Sequence, residues 1–210
     1  MSFSIDAAQI AQAETRFRAN LIQTALGFKA VMLMGTQNKD GVNNLAIFNN
    51  LIHISANPPV IGVQFRPANM ERHSLENLIA TGYFSLNQVP ESHWKQAHQT
   101  SAKYNADTSE FNACGFTRKF LGNIPAPMVA ESPLSMVLKF QEQIPLGTTG
   151  VTLVLGEIVY LESNTTPLPD GFIEPTENNI ITSAGADGYY TAQKKGRLSY
   201  ARPFEDLSEI

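Results

Sequence analysis

The residues best placed to do chemistry lie in two short stretches. In Arg72-His73-Ser74-Leu75-Glu76-Asn77, two basic side chains run into a hydroxyl. Ser74 is the expected N-cap of a helix over 74–80, with Asn77 where a capping box would carry Glu or Gln. A helix N-terminus presents unpaired N–H groups and a partial positive charge. Arg72, His73 and the Ser74 hydroxyl beside it would make a small phosphate seat. Taken alone, the same residues also read as a capped surface helix with solvated basic side chains. The second stretch, from Gly41 to Pro59, reads GVNNLAIFNNLIHISANPP. Asn43-Asn44 reads as turn chemistry, because Asn tolerates left-handed backbone and bonds its own chain. Asn49-Asn50 interrupts an apolar, strand-forming run, and Asn is a poor strand former that is costly to bury unpaired. Those two amides need a bonding partner.

Other site chemistry is missing. The sequence holds no GxxxxGK[ST], HExxH, GxSxG or CxxC. His93 and His98 are five apart, which does not align two ligands on one helical face, so they read as a solvated pair. His53, inside an apolar run, reads as a core histidine bonded to backbone. Cys114 is the single cysteine and reads as a small buried or partly exposed side chain. A lone cysteine excludes intrachain disulfides and Cys-based metal clusters, and fits a reducing compartment. A chain without a nucleophile or metal constellation either is no enzyme or borrows its chemistry from a bound cofactor.

The elements that would position these residues follow from periodicity and turn signals. The 210 residues, 43% hydrophobic and 16% charged, suit one domain spanning 1–210. Fifteen Lys and Arg against 19 Asp and Glu give a net charge of -4, which argues against a nucleic-acid partner. The N-terminus lacks the basic start and apolar core of a signal peptide, and no apolar run approaches the ~20 residues that span a bilayer. A cytoplasmic protein without membrane contact is expected. Residues 6–26 read as one helix with Ile10, Phe17, Leu21 and Ile22 on one side. Strands are expected over 29–37, 45–55, 60–65, 83–89, 133–143 and 151–162, with a hairpin at Asp40-Gly41. A helix is expected over 90–104, and an irregular tail over 164–210. Short spacings favour antiparallel neighbours, and a mainly β chain with helical decoration suggests a small closed barrel.

The ordered set of motifs resembles the flavin reductase-like family of FMN-binding split barrels. It comprises Asp40-Gly41, Asn44-Leu45-Ala46-Ile47-Phe48-Asn49, Ser55-Ala56-Asn57-Pro58-Pro59, Arg72-His73-Ser74-Leu75-Glu76-Asn77 and Gly82-Tyr83-Phe84. Ser109-Glu110-Phe111, Gly115-Phe116 and the stretch from Pro127 to Pro133 are similar to that family's middle segment. The resemblance implies a six-stranded antiparallel Greek-key split barrel with peripheral helices. It implies a homodimer holding FMN near the subunit interface. Asn44, Ala46, Phe48, Asn49 and Asn50 would run along the flavin ring, and Arg66, Arg72, His73 and Ser74 would gather at the phosphate. Asn49 stands where many relatives carry Ser, and His73 where Asp is commoner. Tyr189 and Tyr190, after Gly185 and Gly188, resemble a family pattern but read as a packed turn. The implied activity is hydride transfer from NADH or NADPH to flavin N5 and on to an acceptor the sequence leaves open: free flavin, ferric iron, a partner monooxygenase or another small-molecule substrate. The alternatives are a binding protein that holds FMN or another planar ligand without turnover, and an interaction protein without a cofactor.

Overall fold

The computed structural model describes residues 3–67 and 72–210. Its main body is a seven-stranded antiparallel sheet in the order β3-β2-β6-β9-β10-β5-β4. These strands are β2 (Met32–Gln37), β3 (Asn43–Phe48), β4 (Leu51–Ala56), β5 (Pro59–Phe65), β6 (Tyr83–Gln88), β9 (Leu134–Leu146) and β10 (Val151–Ser163). One pair of short strands and a small three-stranded sheet complete the set. Strands β7 (Arg118–Lys119) and β8 (Met128–Val129) pair with each other, whereas β1 (Lys29–Ala30) adds to the hairpin β11 (Ile181–Ala184) and β12 (Gly188–Thr191).

The sheet cannot be flat. Strands β3 and β4 stand at opposite ends of its order, yet only Asn49 and Asn50 separate them in the chain. A flat sheet would hold them roughly 29 Å apart at about 4.8 Å per strand spacing. The two-residue link spans at most about 11 Å. The sheet therefore rolls up, and its first and last strands meet at the Asn49-Asn50 corner, giving the expected mainly β split barrel. The strand count differs from the expected six for one reason. The expected strand over 45–55 is two strands, because the chain leaves one edge at Phe48 and joins the other at Leu51.

Burial follows the two-residue period of strands. On β2, Met32 and Met34 enter one core with Phe65, Phe84, Leu86 and Leu138, while Leu33 faces a second core with Leu45, Val89 and Phe111. Strand β2 is buried on both faces because α5 (Glu110–Cys114) and neighbouring loops cover its outer side. Helix α3 (His73–Thr81) packs Leu75 and Leu78 against the barrel core and stops at Gly82, whose φ of +79° is the left-handed conformation glycine accepts.

Several expectations are corrected. Residues 6–26 form two helices, α1 (Ala7–Gln12) and α2 (Thr15–Ala25), because Asp6 and Glu14 each cap a separate start. Neither buries a residue, so Phe17 and Ile22 remain exposed. Within 90–104 the helix is only α4 (Trp94–Gln99), preceded by a 3-10 turn. His53 is no core residue; it sits exposed on the edge strand β4. The tail is not irregular throughout, since β11 and β12 form a hairpin and Ile181 N–H bonds the Val89 carbonyl at 3.1 Å. Cys114 is buried, as expected.

A buried polar network ties β8 to the barrel. Asn87 donates to the Leu33 carbonyl and to Ser85 Oγ, accepts the Val129 N–H at 3.0 Å, and Ser85 Oγ donates to the Pro127 carbonyl at 2.6 Å. That carbonyl sits so close to Gly35 that a Cβ there would collide with it and with Ser85 Oγ. Gly35→Ala should therefore lower stability by roughly 1–3 kcal/mol, read as an earlier urea midpoint with an unchanged slope. An unaltered midpoint would show that Pro127 yields freely.

Candidate functional site

Strand β3 is one wall of a cavity of about 930 Å³. At its first end, Asn44 Nδ2 donates to the buried Ser74 Oγ at 2.9 Å, bringing the start of α3 against the strand. One residue on, the Leu45 N–H donates to Glu110 Oε2 at 3.0 Å, which fixes α5 to the same edge. At the far end, Asn49 Nδ2 donates to Ser183 Oγ at 3.3 Å and to the Gly185 carbonyl at 2.8 Å. Next to it, Asn50 Oδ1 accepts from Lys29 Nζ at 3.2 Å. Strand β3 is thus held by α3, α5 and the β11-β12 hairpin in turn.

Every residue singled out from the sequence lines this one cavity: Asn44, Ala46, Phe48, Asn49, Asn50, Arg66, Arg72, His73 and Ser74. Residues 68–71, between Arg66 and Arg72 of this set, lie outside the described residues. Three local expectations change. Asn43 and Asn44 are not turn residues; both are buried and open strand β3. Ser74 is not the N-cap of α3; Arg72 holds that position, makes no side-chain capping bond, and leaves Ser74 one residue inside the helix. Its hydroxyl is engaged by Asn44 instead. The Asn49 amide also has a protein partner, so its nitrogen works as a clasp on the hairpin and only its oxygen is unclaimed by these bonds.

The cavity has three chemically distinct parts. Arg66 and Arg72 bring positive charge to the cavity wall beside His73, and among the described residues the buried Arg72 Nη2 has no hydrogen-bond partner. An unpaired buried guanidinium nitrogen is costly, and an anion would complete it. The middle is apolar. Phe48 and Phe65 meet edge to face with centroids 5.0 Å apart, beside Val31, Ala46 and Ile47. The far end carries the corner amides, Ser183 and Tyr189. Such a sequence of surfaces suits a planar ring with a polar rim and an anionic tail.

Glu110 and Tyr189 are wall residues that the sequence did not mark as site residues. Burial pushes the Glu110 carboxyl above its ordinary value, against the lowering effect of the Leu45 N–H. Burial also raises the Cys114 thiol, whose Sγ lies 3.6 Å from Tyr104 Oη, so the cysteine is no activated nucleophile. The histidines expected as a solvated pair diverge: His93 Nδ1 bonds Ser92 Oγ at 2.9 Å, and His98 Nδ1 bonds Tyr189 Oη at 2.8 Å. Among the described residues no group of three His, Cys, Asp or Glu could hold a metal, and no helix is long and apolar enough to cross a membrane.

Residues 28–172 match the family model of the flavin reductase like domain. The fold is similar to a proposed flavin reductase with a split barrel domain from Shewanella frigidimarina, at a TM-score of 0.91 and 40% identity, covering 95% of this chain and 100% of that one. It is also similar to nitrilotriacetate monooxygenase component B from Bacillus cereus, with a TM-score of 0.82, 22% identity and coverage of 94% and 99%. Flavoredoxin of Desulfovibrio vulgaris gives a TM-score of 0.69 and 20% identity, covering 85% and 92%. The last two likenesses concern the fold alone.

Two substitutions follow from these bonds. Asn49→Ala should lower the stability of the ligand-free protein by about 1–3 kcal/mol, because Ser183 and Gly185 lose their shared donor. An unchanged urea midpoint would show that the clasp carries no stability. The raised Glu110 carboxyl means the folded chain holds that proton more tightly than the unfolded one. Stability therefore falls as pH rises from the ordinary glutamate value of 4.5 through the raised folded value. Glu110→Gln keeps an oxygen for Leu45 N–H and should flatten this part of the stability curve. Parallel curves for the two proteins across that window would remove Glu110 as its cause.

Proposed function

The chain belongs to the flavin reductase-like family, and from that premise we propose that its cavity binds FMN and serves an NAD(P)H-dependent oxidoreductase. The observation that carries this is the buried Arg72 Nη2, which has no hydrogen-bond partner among the described residues, at a start of α3 without a side-chain cap. A phosphate there would gain the guanidinium, the first-turn N–H groups and the partial charge of the helix. Arg66 and His73 add polar wall on the same side. The residues present fit the cofactor, since an apolar slot beside Phe48 and Phe65 adjoins that seat.

When bound, the flavin supplies reversible two-electron chemistry, taking hydride from NADH or NADPH and releasing electrons to a small-molecule acceptor. The chain supplies position and environment. Ala46 and Phe48 offer backbone and ring surface along β3, and the two phenylalanines exclude water from the slot. The oxygen of Asn49 and the amide of Asn50 stand at the polar rim, where they can hold the edge of the ring. The same reading makes the protein a homodimer, with exposed Ile52 and Ile54 on the edge strand β4 available to a second copy. It also makes it cytoplasmic, in keeping with one cysteine in 210 residues.

The visible spectrum of the purified protein tests the reading. A yellow protein that NADH or NADPH bleaches anaerobically, and that air restores, supports it. A yellow protein inert to both nicotinamides would reduce it to flavin binding without turnover, and a protein that stays colourless after dialysis against FMN would overturn it. Arg72→Ala should weaken FMN binding by about 1–3 kcal/mol in a fluorescence titration. Undiminished affinity would remove Arg72 from the phosphate seat.

A further inference from the structure

Tyr189 couples the far end of the cavity to solvent. It lies on β12 directly opposite Ser183, so the two side chains share one face of the hairpin, and both line the cavity. Ser183 accepts from Asn49, which places Tyr189 at the corner end of β3, away from the cationic seat. Its neighbour Tyr190 points to the other face and packs on Phe28 at 4.9 Å. Helix α4 sets the Tyr189 ring from two positions one turn apart. Trp94 lies 5.7 Å from it and His98 5.6 Å, edge to face. The Tyr189 hydroxyl is bonded to His98 Nδ1, and His98 is exposed. Asp187, in the hairpin turn, and burial both keep the phenol protonated.

We propose that Tyr189 is the proton donor to a carbonyl oxygen of a quinone-type acceptor bound at the Asn49 end of the cavity, with His98 as its positioning residue and its link to solvent. The proposal rests on the flavin reading above. Reduction of a quinone to the hydroquinone takes an electron pair and two hydrogens. One hydrogen comes as hydride with the electron pair from the reduced cofactor, and the other oxygen then lacks a proton. With the proton on Nδ1, His98 donates to Tyr189 Oη and leaves the hydroxyl proton to the cavity. The Tyr189 O–H bond breaks as the acceptor O–H bond forms. Nδ1 then returns a proton to the phenolate while Nε2 takes one from water, and no net charge is left on the protein. The acceptor ring would lie against Tyr189 at the Asn49 end, beside the slot that holds the flavin, and the hydroxyl selects for an oxygen that can take a hydrogen bond.

The test compares two acceptors on flavin-loaded protein reduced with dithionite and mixed anaerobically in a stopped flow. Menadione needs a proton on oxygen, whereas ferricyanide takes electrons alone. Tyr189→Phe, compared at equal flavin loading, should slow reoxidation by menadione on the order of a hundredfold while leaving ferricyanide within about twofold. His98→Gln should slow menadione to a lesser degree and again spare ferricyanide. Equal slowing of both acceptors, or of neither, overturns the proposal. A second readout needs no turnover. Menadione added to the oxidised protein should move the His98 ring signals in nuclear magnetic resonance spectra, and should move them less in Tyr189→Phe. Signals that stay in place, or that move equally in both proteins, overturn it. Failure of the natural chain to bind FMN would instead overturn the underlying flavin reading, so the two failures are distinct.

Discussion

The two-residue link between β3 and β4 governs this molecule. It joins the first strand of a seven-stranded order to the last, so the sheet must close, and it must close at Asn49-Asn50. Chain leaving one strand for another cannot satisfy its polar groups through a ladder, and each needs a partner elsewhere. The Asn50 carbonyl accepts the Gln64 N–H from β5, and its side chain takes Lys29. Asn49 reaches the β11-β12 hairpin, more than 130 residues away in sequence. Asparagine suits this corner because its short amide offers both donors and acceptor where an apolar side chain would offer neither.

Once the corner is fixed, β3 becomes a strand whose outer edge is free of the sheet and available to other elements. Three of them use it. Asn44 takes Ser74 of α3, Leu45 takes Glu110 of α5, and Asn49 takes the hairpin. The cavity is the space those three contacts leave, and its floor is a strand of the barrel. A site built on a strand holds its geometry better than one built on loops. The same contacts explain why Ser74 lies inside its helix and caps nothing. Its hydroxyl is committed to β3, and the helix start is left open toward the cavity beside Arg72.

Much of this was legible in the sequence because local and global signals agree there. The Asp40-Gly41 hairpin, the short apolar runs of β2 and β5, and the long β9-β10 pair are all local patterns, and they specify most of the barrel. The positions lining the cavity were legible mainly through the family resemblance, and the Arg72-His73-Ser74 stretch also through its residue types. What the sequence hid depends on contacts between distant segments. The break of the expected strand over 45–55 follows from closure, which no local window contains. The hairpin of β11 and β12 has four-residue strands among Gly, Asn and Asp, too short for a period to register. Glu110 is a site residue only because α5 folds onto Leu45. His98 took the place of a solvated residue in the sequence, and Tyr189, far along the chain, gives it a partner.

Charge distribution adds a last constraint. The chain as a whole carries a net charge of -4, yet among the described residues the cavity wall brings together Arg66, Arg72 and Lys103 against one carboxylate, Glu110. Burial weakens even that carboxylate by favouring its neutral form. A positive recess in an acidic molecule focuses the field at its mouth, so an anionic ligand is drawn to the recess and repelled from the rest of the surface. Solvent salt screens the exposed Arg66 over about 10 Å at 0.1 M, but the buried guanidinium nitrogen of Arg72 much less. Long-range capture and short-range hold are therefore divided between two arginines. On the proposed reading, the exposed one would set how fast an anion arrives, and the half-buried one how long it stays.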